Sequence, residues 1–168
     1  MTESIGTDSM MDAIGKAITE GRSGNVVGAR GQLLDLWKTI GVGGDPLHRC
    51  TLAHSLADLY ADPAQALAWD VRALDAADSI SEQRVQEHHA GLHIAGFYPS
   101  LHLNLADNYR RLGSFEAARE HLDVARERSS ALPPDSYGQL IRAVIDEVTT
   151  AVENRDTAVR ASAPGVTA

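Results

Sequence analysis

Apolar residues recur at helical spacing along most of the chain. Val26, Ala29, Leu33 and Trp37, for example, share one face of a helix predicted over residues 25–40. No segment shows the strict alternation of apolar and polar residues that is typical of a strand. The pattern therefore predicts an all-α chain. The helices are predicted over residues 9–22, 25–40, 46–60, 63–78, 100–112, 114–130 and 135–153.

Proline and glycine signals separate these helices. Asp45 stands before Pro46, and Asp62 stands before Pro63, in the order of an N-cap followed by a first helical residue. Gly113 stands where a left-handed residue ends a helix. Short turns of this kind predict stacked antiparallel helix pairs.

The two ends of the chain differ in composition from its helical part. Residues 1–8 are small and polar, and residues 154–168 are mostly small, with one proline and one glycine. Segments with little apolar surface to bury tend to be mobile. The sequence therefore predicts a helical domain over residues 9–153, between a flexible N-terminus (1–8) and a flexible C-terminal tail (154–168).

Residues 99–127, with the sequence PSLHLNLADNYRRLGSFEAAREHLDVARE, carry the most specific pattern of the chain. The small Ala106 and Ala118 allow two helices to approach closely, Gly113 takes the turn between them, and Phe115 plugs that turn. This stretch resembles the tetratricopeptide repeat family, whose helix pairs stack into a right-handed α-solenoid. The resemblance is carried by Leu105, Ala106, Tyr109, Leu112, Gly113, Phe115, Ala118, Leu122 and Ala125.

The resemblance is weaker before residue 99. Ala29, Ala66 and Ala118 take corresponding places in three second helices, and they are separated by 37 and 52 residues. The family period is about 34 residues, so the second separation predicts an insertion, over residues 78–98. The resemblance thus implies about three helix pairs with this insertion, followed by a capping helix over residues 135–153.

Four of the seven histidines, namely His88, His89, His93 and His102, lie in this insertion or just after it. On an intact helix, His89 and His93 are four residues apart, so their rings can converge on one metal ion, with Glu87, His88 or His102 as a third ligand. The HExxH pattern is absent. We therefore expect no metal site, and we interpret these residues as packing at an irregular helix junction or as a partner contact.

Pro99 leaves the conformation of the insertion open. Proline removes a helical hydrogen bond and biases the preceding residue away from helical angles. One possibility is a short extra helix followed by a loop over residues 96–99. The other is one long helix that is kinked near Pro99.

The resemblance also implies a binding groove, because the first helix of each tetratricopeptide pair lines a concave surface. In the repeat over residues 99–127, the matching Asn104 is of the type that grips a peptide backbone, and Arg110 and Arg111 can meet a carboxylate in a fork geometry. An ordinary solvated helix face is the alternative. The expected groove residues are Cys50, His54, Asp58, Leu103, Asn104, Asp107, Arg110 and Arg111.

Cys50, His54 and Asp58 follow one another at four-residue intervals on one predicted helix. Such a stripe brings a nucleophile next to a base, but nothing in the sequence supplies an oxyanion site. Cysteine is also commonly buried as a small hydrophobic residue. We therefore assign no catalytic residue, and we expect a binding protein rather than an enzyme.

Composition and charge narrow the classes of partner. The net charge of −8 disfavours binding to nucleic acid and to anionic membranes. The residues before Met10 carry neither the basic nor the apolar region of a signal peptide, and no apolar stretch reaches about 20 residues, so we expect a cytoplasmic protein. The GVGGDP run lacks the lysine of a phosphate-binding loop, and no cofactor is expected.

Two functions follow from these observations. The first is a scaffold that binds a protein or peptide in the concave groove, or that self-associates as a homodimer to cover its open flank. The alternative is a metal or small-molecule pocket closed by the histidine-rich insertion, in a sensor or an unusual enzyme. In that alternative, His54, Asp58, His89, His93 and His102 converge from separate helices.

Overall fold

The computed structural model describes residues 8–83 and 90–163, with the side chains of residues 8–80 and 94–163. In this part of the chain all regular structure is helical, without a strand, which confirms the all-α prediction. The helices are α1 (Ser9–Arg22), α2 (Val26–Ile40), α3 (Pro46–Ala57), α4 (Pro63–Gln83), α5 (Ala90–Arg111), α6 (Phe115–Arg128) and α7 (Ser136–Glu153), with a short 3-10 helix over Ser129–Ala131.

Aspartate side chains cap the N-termini of several helices. Asp45 accepts a hydrogen bond from the backbone N–H of Leu47 (2.8 Å) at the start of α3. Asp135 accepts one from the N–H of Gly138 (3.0 Å) at the start of α7. These bonds satisfy amides that have no partner within the first helical turn. The Asp–Pro signal therefore acts at Pro46 as the sequence predicts.

Left-handed residues end α1, α5 and α7. Gly24 has a φ of 104° and Gly113 has a φ of 80°. After Gly113, the N–H of Ser114 donates back to the carbonyl oxygen of Tyr109 (2.8 Å). Arg155, with a φ of 53°, makes the same reversal after α7. Glycine adopts this conformation without the steric cost that a Cβ brings.

Helices that are adjacent in the chain make the main packing contacts. α1 packs with α2, α3 with α4, and α5 with α6, while α4 also packs against α5 and α7 contacts both α5 and α6. One buried apolar cluster extends from α1 to the first half of α5 and includes Leu52 and Leu101. The other joins the second half of α5 to α6 and α7 and includes Leu122 and Val148. Because α5 belongs to both clusters, it holds the two halves of the structure together.

The predicted insertion differs most from its expected boundaries. α4 continues to Gln83 instead of ending at residue 78, and α5 already begins at Ala90. Pro99 lies inside α5, so one long helix is observed and not a short helix followed by a loop. The helix passes through proline because Tyr98 and Leu101 beside it are buried, and tertiary packing outweighs the local preference.

The C-terminal segment also differs from its prediction. Composition predicts a flexible tail over residues 154–168, whereas residues 156–160 make defined hydrogen bonds to α5. Composition misses these bonds because two of them use backbone carbonyl groups, which every sequence carries. Of the predicted flexible N-terminus, residues 1–7 lie outside the described residues, and Asp8 accepts a hydrogen bond from Met11 as the cap of α1. Residues 164–168 also lie outside them.

The turn at Gly113 gives a testable prediction. Gly113→Ala should lower the free energy of unfolding by about 1 kcal/mol or more, because alanine brings a Cβ into the left-handed region. Gly15→Ala is the matched control. It lies inside α1 with no atom within 4 Å of the added Cβ, so it should raise stability by up to about 1 kcal/mol. Urea denaturation followed by circular dichroism measures the free energy of unfolding of both variants. Changes of the same sign would contradict the left-handed conformation of Gly113.

Candidate binding groove

A pocket of about 230 Å³ is lined by side chains of α3, α4, α5 and α7 and by the C-terminal segment. We call this pocket the groove. Its polar lining comes mainly from α3 and α5, whereas α7 contributes apolar side chains. The residues used below are His54, Asp58, Asp70, Ser100, Leu103, Asn104, Asp107, Asn108, Arg111, Leu140, Ile141, Val144, Arg160 and Ser162.

The structure brings most of the expected groove residues together. His54 of α3 and Asp58, which directly follows α3, line the same pocket as residues of α5, although they lie about 50 positions away in the chain. The side-chain N–H of Asn104 is 3.5 Å from both His54 Nδ1 and Asp58 Oδ1. The expected residues that line the groove are His54, Asp58, Leu103, Asn104, Asp107 and Arg111.

Cys50 does not line the groove. Its side chain is buried in the apolar cluster that includes Leu52. Burial, followed by the charge of Asp78, raises the pKa of the Cys50 thiol to about 12. A thiol with so high a pKa is neither a nucleophile nor a ready metal ligand at neutral pH. Cys50 therefore acts as a small hydrophobic residue. Cys50, His54 and Asp58 do not form one site.

Arg110 lies beneath the groove and does not line it. Arg110 is fully buried, with 0% of its surface exposed to solvent. The guanidinium donates to Asp107 Oδ1 from Nε (2.9 Å) and from Nη2 (2.7 Å). It also donates to the backbone carbonyl oxygens of Asp156 (2.5 Å) and Ala158 (2.9 Å). A buried charge needs such partners, and these fix Asp107 at the groove wall.

A line of buried polar groups that the sequence analysis missed crosses the floor of the groove. Asn108 Nδ2 donates to Asp70 Oδ2 (2.7 Å), and Asp70 Oδ1 lies 3.6 Å from His54 Nδ1. The other ring nitrogen, His54 Nε2, is 3.1 Å from Ser100 Oγ. The line therefore joins α3, α4 and α5. The sequence does contain a sign of this polar line, because Asp70 interrupts the apolar face that Ala66 and Ala73 define on α4.

Burial and charge shift the pKa values in this line. Burial lowers the pKa of His54, but the nearby carboxyl groups of Asp70 and Asp58 together raise it above the usual value. Burial raises the pKa of Asp70 against the opposing effect of His54. The pKa of Asp58 is also raised by desolvation within the groove, although this residue stays exposed. His54 is therefore placed to carry a positive charge beside the buried carboxyl group of Asp70.

The line Asp70–His54–Ser100 has the order of an acid–base–nucleophile triad. A triad also needs a hydrogen bond between its acid and the histidine, which orients the ring. Asp70 Oδ1 accepts no hydrogen bond within the described residues and lies 3.6 Å from His54 Nδ1, which is beyond hydrogen-bond distance. We therefore interpret the line as a structural network that fixes the groove wall.

His102 points away from the groove. Its Nδ1 is 3.0 Å from Nδ1 of His121, and its ring stacks against those of His121 and Tyr98. Burial, and then the charges of His121 and Arg128, lower the pKa of His102 to about 4. His54 and His102 therefore do not share one site.

Of the other expected metal ligands, His88 and His89 lie outside the described residues, and so does the side chain of His93. Among the described side chains, no group of three or more His, Cys, Asp or Glu residues could hold a metal ion.

The histidine environments predict distinct titrations. In an NMR pH titration, His54 should titrate above the usual pKa of about 6.5, whereas His102 should titrate near 4. Asp70→Asn should lower the His54 midpoint, because it removes the nearest carboxylate, and should leave His102 unchanged as an internal control. A His54 midpoint that does not move in this variant would contradict the pairing.

Comparisons with family models, curated proteins and solved structures give no match to this chain. In the part of the chain that the structure describes, no helix combines the length and the apolar character that crossing a membrane requires. A function must therefore be inferred from the groove itself.

Proposed function

We propose that this chain is a small tetratricopeptide-like scaffold that binds an extended protein or peptide segment in the groove. The proposal rests on which helices contribute the side chains that line the groove. Its side chains come largely from α3, α5 and α7, which are alternate helices of the chain. In a stack of helix pairs these are the first helices of successive pairs, and they form the concave surface on which such stacks bind segments of other proteins.

The packing of α5 and α6 supports the tetratricopeptide-like arrangement. Ala106 and Ala118 are both fully buried, as expected where two helices approach closely. Gly113 takes the left-handed turn between the helices, and Phe115 is buried beside it. The turn between α1 and α2 has the same character, with Gly24 in the left-handed region. These features support the proposed tetratricopeptide-like arrangement.

The chemistry of the groove suits a peptide backbone. Asn104 offers both a donor and an acceptor, which match the two polar groups of a peptide unit. Its contacts to His54 and Asp58 are at the long limit of a hydrogen bond, so an entering peptide can compete for its amide. Leu140 of α7 is 58% exposed at the rim and can receive an apolar side chain. The groove therefore combines polar positioning groups with apolar surface, as binding sites do.

Asn104 is the residue at which the proposal is tested. Binders are selected from a displayed library of random peptides, and the dissociation constant of each is measured on the full chain. Asn104→Ala should weaken binding by about tenfold, because the loss of a peptide hydrogen bond costs about 1–1.5 kcal/mol. NMR shifts on peptide addition should fall on α3, α5 and α7.

Glu127→Ala is the matched control, because Glu127 is an exposed polar residue of α6 outside the groove. It should leave the affinity unchanged. Binders that are indifferent to Asn104→Ala, or that shift only residues away from the groove, would contradict the proposal.

A further inference from the structure

The C-terminal segment, residues 156–163, lies along the groove as a bound peptide would. The chain reverses at Arg155 after α7, and the N–H of Asp156 donates to the carbonyl oxygen of Ala151 (2.9 Å). From there the segment passes over Arg110, and Arg160, Ser162 and Ala163 contribute to the lining of the groove. The chain thus covers part of its own candidate binding surface.

Arg110 holds the backbone of this segment. It donates to the carbonyl oxygens of Asp156 and Ala158, two residues apart. The segment bends here, because the N–H of Ala158 donates to Asp156 Oδ1 (2.8 Å). A partner segment that makes the same bend can offer the same pair of backbone acceptors to Arg110.

Arg160 supplies the contact that depends on a side chain. Its Nε donates to Asp107 Oδ2 (3.1 Å), and its Nη1 lies 3.6 Å from Glu147 Oε2. Ser162 Oγ donates to the same Glu147 oxygen (2.7 Å) and accepts from Arg160 Nη1 (3.0 Å). The Arg160 side chain is only 11% exposed. Two carboxylates from different helices, α5 and α7, thus enclose one guanidinium.

The charge of the groove favours a cation at this place. When Arg160 is set aside, the carboxylates in the lining belong to Asp58, Asp70 and Asp107, and the one guanidinium belongs to Arg111. His54 adds positive charge only when protonated. An entering positive side chain therefore reduces the repulsion among the carboxylates, whereas an acidic one increases it.

We propose that the groove recognises a bent segment of a partner protein that carries an arginine, and that residues 156–163 are a built-in competitor for it. Arg110 grips two alternate backbone carbonyls of the segment, and Asp107 with Glu147 binds the arginine two residues further along. Arginine fits better than lysine because its planar fork reaches both carboxylates. This inference rests on the proposed function, and it names the chemistry of the partner.

The test uses the full chain and a fluorescent synthetic peptide with the sequence of residues 156–163, DTAVRASA, with blocked ends. The wild-type segment competes at an effective concentration in the millimolar range. The peptide should therefore bind the Arg160→Ala protein at least tenfold more tightly than the wild type. Arg119→Ala, which removes an exposed arginine of α6, is the matched control and should behave as the wild type.

Two further changes test the arginine contact. The peptide with Arg160→Ala should lose at least tenfold in affinity for the Arg160→Ala protein. Glu147→Gln, added to the Arg160→Ala protein, should weaken binding of the arginine peptide more than that of the alanine peptide, because the serine of either peptide can still donate to the amide oxygen at this position. NMR spectra of each variant should retain the α5 and α6 signals, which shows that the fold is intact.

The outcomes separate this inference from the proposed function. Equal binding of the arginine and alanine peptides would overturn the arginine specificity while the groove remained a peptide site. Equal affinity of the wild-type and Arg160→Ala proteins would overturn the competitor role. If neither these peptides nor any library peptide shifts the groove signals, the inference and the proposed function both fail.

Discussion

The buried guanidinium of Arg110 is the interaction on which the groove depends. A charge removed from water costs several kcal/mol unless it is paired and hydrogen-bonded. Arg110 meets this demand with Asp107 on its own helix and with two backbone carbonyls of the C-terminal segment. One residue thus sets the position of a groove carboxylate and brings the end of the chain across the concave face. We infer that these two hydrogen bonds are what holds the segment in place.

The buried polar line through Asp70 plays a matching part on the other side of the groove. It links α3, α4 and α5 through His54, Asp70, Ser100 and Asn108. Such networks specify one arrangement of helices more than they add stability. The contact between His54 and Ser100 thus fixes how α3 and α5 face each other at the groove.

Local signals predict much of this structure from the sequence, and tertiary contacts account for the rest. The Asp–Pro start at Pro46 and the turn at Gly113 were predicted because one or two residues decide them. The repeat positions likewise predict that His54 and Asn104 both line the groove. By contrast, α5 continues through Pro99 because Tyr98 and Leu101 are buried on partners that are distant in sequence. The role of Asp70 and the path of residues 156–163 depend on similar long-range contacts.

The competitor role of residues 156–163 is tested most directly by their backbone order. This is measured by ¹⁵N relaxation in the free protein and after saturation with a groove-binding peptide. In the free protein we expect this segment to be as ordered as α7, with order parameters of about 0.85. In the bound protein they should fall below about 0.6, while Gly113 stays unchanged. A segment that is equally mobile in both states, or equally ordered in both, would contradict the claim that it occupies the partner's site.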